Sequence, residues 1–125
     1  MEVVRADQKD IETILGWVEL WGIPDPYLSD EIYLVKDGDV PVICCGLLES
    51  DDGLHIRTYG LVKNPEFKDV QKHMAFLFDH MCEVAKIRGH EALTLFAPSE
   101  KLAKIYAEHG FVKQQDAVIP MKRDF

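Results

Sequence analysis

Residues Leu54–Phe96, LHIRTYGLVKNPEFKDVQKHMAFLFDHMCEVAKIRGHEALTLF, decide the architecture. Leu54 to Val62 is rich in β-branched and aromatic residues and reads as a strand. From Asp69 to Arg88 the apolar period becomes helical, with Val70, Met74, Leu77, Phe78, Met81 and Ala85 on one stripe and Gly89 as the C-terminal stop. Ala92 to Phe96 is then a short apolar strand. A strand, a long helix and a strand in this order call for a right-handed crossover, which makes the two strands parallel.

Upstream, Glu31 to Lys36 and Val40 to Glu49 are β-prone runs, linked to each other and to Leu54–Val62 by Asp37-Gly38-Asp39 and Asp51-Asp52-Gly53. Such short glycine-containing turns join antiparallel neighbours, so these runs form a meander. Before it, Glu2 to Arg5 is a short β-prone start and Asp7 a candidate N-cap. Ile11, Ile14, Leu15, Val18 and Trp21 then mark one face of a helix. Gly22-Ile23-Pro24-Asp25-Pro26 ends it, because proline lacks the amide a helix needs. Only Tyr27 to Asp30 remain for any second helix before the meander.

Downstream, Ser99 caps a last helix bearing Leu102, Ala103, Ile105 and Tyr106. Gly110 stops it, and Phe111 folds back as the residue after a Schellman turn. Val112 to Gln114 and Ala117 to Met121 read as a closing hairpin. The resulting order is β-α-β-β-β-α-β-α-β-β, an α/β (α+β) chain with a mixed, mostly antiparallel sheet, expected as one domain over residues 1–125.

Apolar residues form 47% of the 125 and charged residues 29%, as in an ordinary globular protein that buries a core without disulfides or metals. The formal charge of -8 disfavours nucleic acid, since phosphates are repelled and no counterions are released. Cys44 and Cys45 are strand neighbours facing opposite sides, so they are read as free, reduced and buried. No apolar run reaches the roughly 20 residues of a membrane span, and no charged-then-apolar leader opens Met1 to Asp10. The expectation is a cytoplasmic protein away from membranes.

Ile105-Tyr106-Ala107-Glu108-His109-Gly110-Phe111 resembles the Leu-Tyr-x-x-x-Gly-Phe segment of the GNAT superfamily of N-acetyltransferases, and Pro65-Glu66-Phe67-Lys68 resembles its Pro-Glu-Tyr/Phe-Arg at the entry to the cofactor helix. The element order is similar over essentially the whole chain. The resemblance implies a GNAT-like sheet with helices on both faces and transfer of acetyl from acetyl-CoA to an amine of a small molecule or peptide. It also implies a cofactor site in the splay between the parallel strands. The pantetheine arm would pair along Gly60, Leu61, Val62 and Lys63, the pyrophosphate would lie on Lys68, Asp69, Val70, Gln71, Lys72 and His73, and Ser99 would stand nearby. Family members often pair as dimers. The loop departs from the family's Arg/Gln-x-x-Gly-x-Gly/Ala, because Gln71 and His73 fill its small positions and Asp69 adds a negative charge. That departure keeps a second reading open, in which the fold persists as a catalytically inactive interaction module.

The resemblance assigns Tyr106 as the acid that protonates the departing thiolate, and a phenol of pKa about 10 matches a thiolate of similar basicity. A tyrosine on the inner face of a short helix is equally a core residue with its hydroxyl tied to backbone. For a base, His55 alternates with Arg57 and Tyr59 onto one face of its strand, and Glu49 is a second candidate; such alternation also describes a solvated strand face. No metal site is expected, since His73 and His80 lie seven apart, too far for one-turn chelation. Of Trp17 and Trp21, one is expected in the core and the other at a subunit contact.

Overall fold

The structure is a computed structural model describing residues 1–23, 31–51, 53–97 and 99–112, and for residues 57–60 the backbone alone. Its elements are β1 (Glu2–Arg5), α1 (Gln8–Trp21), β2 (Glu31–Asp37), β3 (Val40–Ser50), β4 (Gly53–Lys63), α2 (Gln71–Ile87), β5 (Leu93–Leu95) and α3 (Glu100–Glu108). These are the first eight elements expected, in the expected order. Tyr27 to Asp30 and, apart from Val112, the closing hairpin lie outside the described residues. No described helix is long and apolar enough to cross a membrane.

One sheet of order β1-β2-β3-β4-β5 holds the molecule together; its first four strands are antiparallel neighbours, and β4 and β5 run parallel through Leu54↔Leu93, His55↔Thr94 and Ile56↔Leu95. The crossover argument therefore holds. Alternation then divides the core in two. Val35, Ile43, Cys45, Leu54 and Ile56 pack under α2 and α3, whereas Ile32, Leu34, Cys44 and Val62 pack under Ile14, Trp17 and Val18 of α1. Helices thus cover both faces. Cys44 and Cys45 take opposite sides as their spacing requires, both free and buried.

The helix ends follow capping chemistry. Asp7 and Asp10 form a reciprocal capping box at the start of α1, and Ser99 Oγ accepts the Leu102 amide at 3.2 Å at the start of α3. At Gly110, φ is 91°, a left-handed value that favours glycine. The Gly110 amide donates to Ala107 at 3.1 Å and the Phe111 amide to Tyr106 at 3.2 Å, the two bonds of a Schellman turn. Phe111 is thereby swung onto Phe78, with ring centroids 5.0 Å apart.

Three expectations need correction. Leu15 is 41% exposed, because the buried stripe of α1 centres on Ile14, Trp17 and Val18. α2 begins two residues late, at Gln71, since Asp69 turns its carboxylate onto the Gln71 amide at 3.1 Å and Val70 takes the capping position. β5 spans Leu93–Leu95 alone, and Phe96 beyond it is 64% exposed.

Candidate functional site

The site arises where β4 and β5 part. Their pairing ends at Ile56 and Leu95, while β4 continues to Lys63. Over the same region β4 carries extra residues relative to β3. From the pair Cys45↔Leu61 to the pair Leu47↔Ile56 there are two steps along β3 (45 to 47) and five along β4 (56 to 61). A wide bulge of this kind, here residues 57–60, bends its strand, and beyond Ile56 the far edge of β4 has no strand partner among the described residues.

Register shows which backbone groups face that edge. The Asn64 amide donates to the Val42 carbonyl at 2.7 Å, so alternation puts Val62 in the hydrogen-bonded position opposite Cys44. Leu61 and Lys63, at the intervening positions, turn their amides and carbonyls away from β3. A strand edge of this kind takes an extended amide-bearing chain by adding it as a further strand.

A cavity of about 300 Å³ lies against this edge. Leu61, Val62 and Lys63 of β4, Val70 and Met74 at the start of α2, and Tyr106 of α3 form much of its wall, joined by Trp21 and Ile23 from the end of α1. Four residues implied to hold the cofactor, Leu61, Val62, Lys63 and Val70, thus come together with Tyr106. The wall is apolar apart from the Lys63 amine, the Trp21 indole N–H and the Tyr106 hydroxyl, a pattern typical of small-ligand sites.

Tyr106 is 6% exposed and packs edge-on to Phe78 at 6.1 Å. Its hydroxyl has no hydrogen-bond partner among the described residues, so the reading that ties it to backbone is not what the structure shows. Burial raises the phenol's pKa above its ordinary value of 10.0.

The other implied cofactor residues surround the first turn of α2. The first helical bond is Met74 N–H to Val70 C=O at 2.8 Å, leaving the amides of Lys72 and His73 without a partner among the described residues. Lys68 and Lys72 are exposed beside them. The two residues that replace small ones are engaged sideways. Gln71 Oε1 meets His109 Nε2 at 2.7 Å. His73 Nε2 meets Asp37 Oδ2 at 3.1 Å, with its ring edge-on to Phe67 at 5.9 Å, and its buried Nδ1 has no partner among the described residues. Ser99 does not line the cavity, its oxygen being spent on the α3 cap.

His55 lies elsewhere. It pairs with Thr94 near the start of β4, with Nε2 3.1 Å from Ser50 Oγ and Nδ1 bonded to Thr94 Oγ1, and it does not line the cavity. Leu54 and Ile56 on either side face α2 and α3, so His55 points to the opposite side of the sheet from Tyr106. The side chains of Arg57 and Tyr59 lie outside the described residues. Glu49 sits in a separate cluster with His90 Nε2 at 3.0 Å and Arg88 Nη1 at 3.2 Å, whose hydrogen bonds hold its carboxyl below the usual range. Neither His55 nor Glu49 is brought to Tyr106.

Sequence reasoning missed two residues. Asn64, 7% exposed, anchors the loop between β4 and α2: Nδ2 donates to the Pro41 carbonyl at 2.9 Å and Oδ1 accepts the Glu66 amide at 3.0 Å. An Asn at the end of a strand and before Pro65 is a turn signal, and that was the available clue. Trp21 is 47% exposed and donates its indole N–H to the Lys63 carbonyl at 2.8 Å, a contact between positions 42 apart that no local pattern announces.

Parallel strands that splay over a helix N-terminus, with a cavity against the longer strand, define an α/β class built to admit a ligand between two strands. No protein-family model and no curated protein matches the sequence. Solved structures do match. A putative acetyltransferase from Agrobacterium tumefaciens str. C58 superposes with a TM-score of 0.71 at 14% identity, over 98% of this chain and 100% of that one. A GNAT family acetyltransferase from Streptococcus pneumoniae TIGR4 gives 0.66 at 18% identity, over 98% of each chain. An aminoglycoside N-acetyltransferase solved with CoA gives 0.68 at 12%, over 98% of this chain and 100% of that one. The chain has the fold of the GNAT acetyltransferases, and at these identities the likeness is one of fold.

Proposed function

We propose that this chain, acting as one domain, is an N-acetyltransferase that moves acetyl from acetyl-CoA to an amine of a small molecule or peptide. The observation that carries the reading is the Tyr106 hydroxyl, without a partner among the described residues, at the wall of an apolar cavity that lies against the edge of β4. Solved structures of this fold include a predicted acetyltransferase with acetyl-CoA and an aminoglycoside acetyltransferase with sisomicin, which supports the donor and an amine acceptor.

The residues present fit such a donor. Leu61 and Lys63 offer outward amides and carbonyls to an extended arm, and the apolar wall excludes water from the reacting end. Lys68 and Lys72, with the free amides of Lys72 and His73, hold anionic charge at the positive end of α2. When bound, acetyl-CoA supplies an acyl group activated as a thioester. Tyr106 Oη holds a proton through neutral pH, because burial opposes its ionisation; as the amine nitrogen bonds the acetyl carbon and the carbon–sulfur bond breaks, the phenol would protonate the departing sulfur, and the proton lost by the nitrogen would restore the phenol through solvent. No carboxylate or histidine among the described residues lines the cavity, so the acceptor enters as the neutral amine.

One observation favours the alternative of an inactive interaction module: the Asp69 carboxylate already occupies the Gln71 amide. Thermal melting separates the two. A donor at about a hundred times its dissociation constant stabilises the native state by roughly 2.7 kcal/mol, and the midpoint rises by about 10 °C for a chain of this length. Absence of any shift with millimolar acetyl-CoA rejects the enzyme. Given a shift, Tyr106→Phe keeps it and lowers turnover, and the wild-type alkaline limb lies above the ordinary phenol value of 10.0 because the phenol's pKa is raised. Equal turnover in both forms removes Tyr106 from the chemistry.

A further inference from the structure

α1 carries two tryptophans one turn apart with different surroundings. Trp17 is 5% exposed and packs in the core beneath α1, whereas Trp21, the last residue of the helix, is 47% exposed. Burial of apolar area therefore does not account for the position of Trp21. Two directed contacts do: the indole N–H donates to the Lys63 carbonyl at 2.8 Å, and the Lys63 ammonium lies over the ring, 5.0 Å from its centroid. The chain turns away directly after Trp21, at Gly22 with φ 64°, so no helix continues beyond the ring.

The Lys63 carbonyl faces away from β3, on the edge of β4 that borders the cavity. An indole N–H on that carbonyl occupies the position that the N–H of an amide-bearing chain takes when it pairs with the edge. Trp21 and Lys63 both line the cavity, so their hydrogen bond borders it.

We propose that Trp21 is an internal occupant of the donor cleft, holding the Lys63 carbonyl in place of an amide of the donor's arm, and that it must release this carbonyl for the arm to pair along β4. The inference rests on the donor reading above and concerns the amide-bearing pantetheine arm, as distinct from the anionic end at α2. In the empty protein the indole satisfies a carbonyl that would otherwise face an apolar cavity unpaired, which disfavours the open cleft. Binding exchanges one hydrogen bond for another, so the occupant weakens donor affinity by about the worth of a single neutral hydrogen bond.

The test compares wild type with Trp21→Phe, which keeps an aromatic ring and removes the N–H, and with Trp21→Ala, which removes both. Titration calorimetry with CoA, with pantetheine and with ADP reads the two ends of the ligand separately. Losing a competing hydrogen bond makes CoA and pantetheine bind about two- to tenfold tighter to Trp21→Phe, while ADP, which has no amide arm, binds alike to both proteins. In wild type, CoA also changes the part of the tryptophan emission that Trp21→Phe lacks and makes it more open to acrylamide. CoA or pantetheine binding to Trp21→Phe no tighter than to wild type, with wild type binding both, overturns the proposal and makes Trp21 a fixed wall. So does an equal gain for ADP, which signals general loosening. If neither protein binds CoA or pantetheine, the donor reading and this inference fall together, a result distinct from either of those. A cooperative melt of free Trp21→Phe within about 4 °C of wild type, the worth of one lost hydrogen bond, guards against misfolding, and the emission change in wild type needs no variant to fold.

Discussion

Replacing Asn64 by Ala should weaken both the fold and the site, and the structure sets the size of the effect. The variant keeps the backbone bonds of residue 64, from its amide to Val42 and from the Phe67 amide to its carbonyl, and deletes both side-chain bonds, to the Pro41 carbonyl and from the Glu66 amide. Each neutral hydrogen bond contributes about 1 kcal/mol net, so the expected loss is about 2 kcal/mol. For this chain length that lowers the melting midpoint by roughly 8 °C. Urea denaturation should show a lower midpoint at an unchanged slope, because the area exposed on unfolding hardly alters. Asn64→Asp sharpens the test. Its carboxylate still accepts the Glu66 amide and has nothing to donate to Pro41, so at neutral pH it should be less stable than Asn64→Ala. In acid, below the carboxyl's pKa, an O–H can reach the Pro41 carbonyl and part of the loss should return. Because residues 64–67 lead into the free amides of α2, the melting shift with acetyl-CoA should shrink in both variants. An Ala variant within about 0.5 kcal/mol of wild type, with an Asp variant that tracks it at every pH, would refute the reasoning.

The Arg88 guanidinium, followed by the Tyr33 hydroxyl at 3.1 Å, holds the Glu31 carboxyl below its ordinary range. A depressed folded pKa means a contribution fully present above the unfolded value and lost as pH falls through the folded one. Glu31→Gln should accordingly cost about 1 kcal/mol or less at neutral pH, lowering the melting midpoint by about 4 °C at most, and match wild type in strong acid; a constant difference across pH would show that charge is not involved. Burial pushes the Cys44 thiol up to about 12 and Cys45 well above its usual value, whereas Cys82 is only half-buried and more modestly raised. A thiol reagent at neutral pH should therefore modify Cys82 alone, and slowly, in the native protein and all three cysteines after unfolding. Two native thiols reacting together would contradict the packing of β3.

Much of the fold was legible because its signals are short-ranged. The helical stripe from Val70 to Ala85, the Ser99 cap, the Gly110-Phe111 stop and the opposed faces of Cys44 and Cys45 follow from backbone torsions and hydrogen bonds spanning a few residues. The parallel pair β4 and β5 followed from the handedness of crossovers, which the length of α2 made unavoidable. Tyr106 was singled out by its segment, and the structure puts it on the wall of the cavity.

His55 marks where that reading stops. Alternation correctly separates its face from that of Leu54 and Ile56, and only the packed sheet shows that Tyr106 lies on the other side. Gln71 and His73 could be seen to fill small positions; their ties to His109 and Asp37 could not. By itself, then, the sequence determined the elements, their order and the α2 and α3 faces that bury, because those depend on neighbours along the chain. The tertiary structure alone decided the bulge that opens β4, the buried anchor at Asn64 and the indole of Trp21 on the Lys63 carbonyl. The physical reason is that a strand edge becomes a site through what fails to pair with it and what reaches it from afar, and neither is encoded in the torsions of the strand itself.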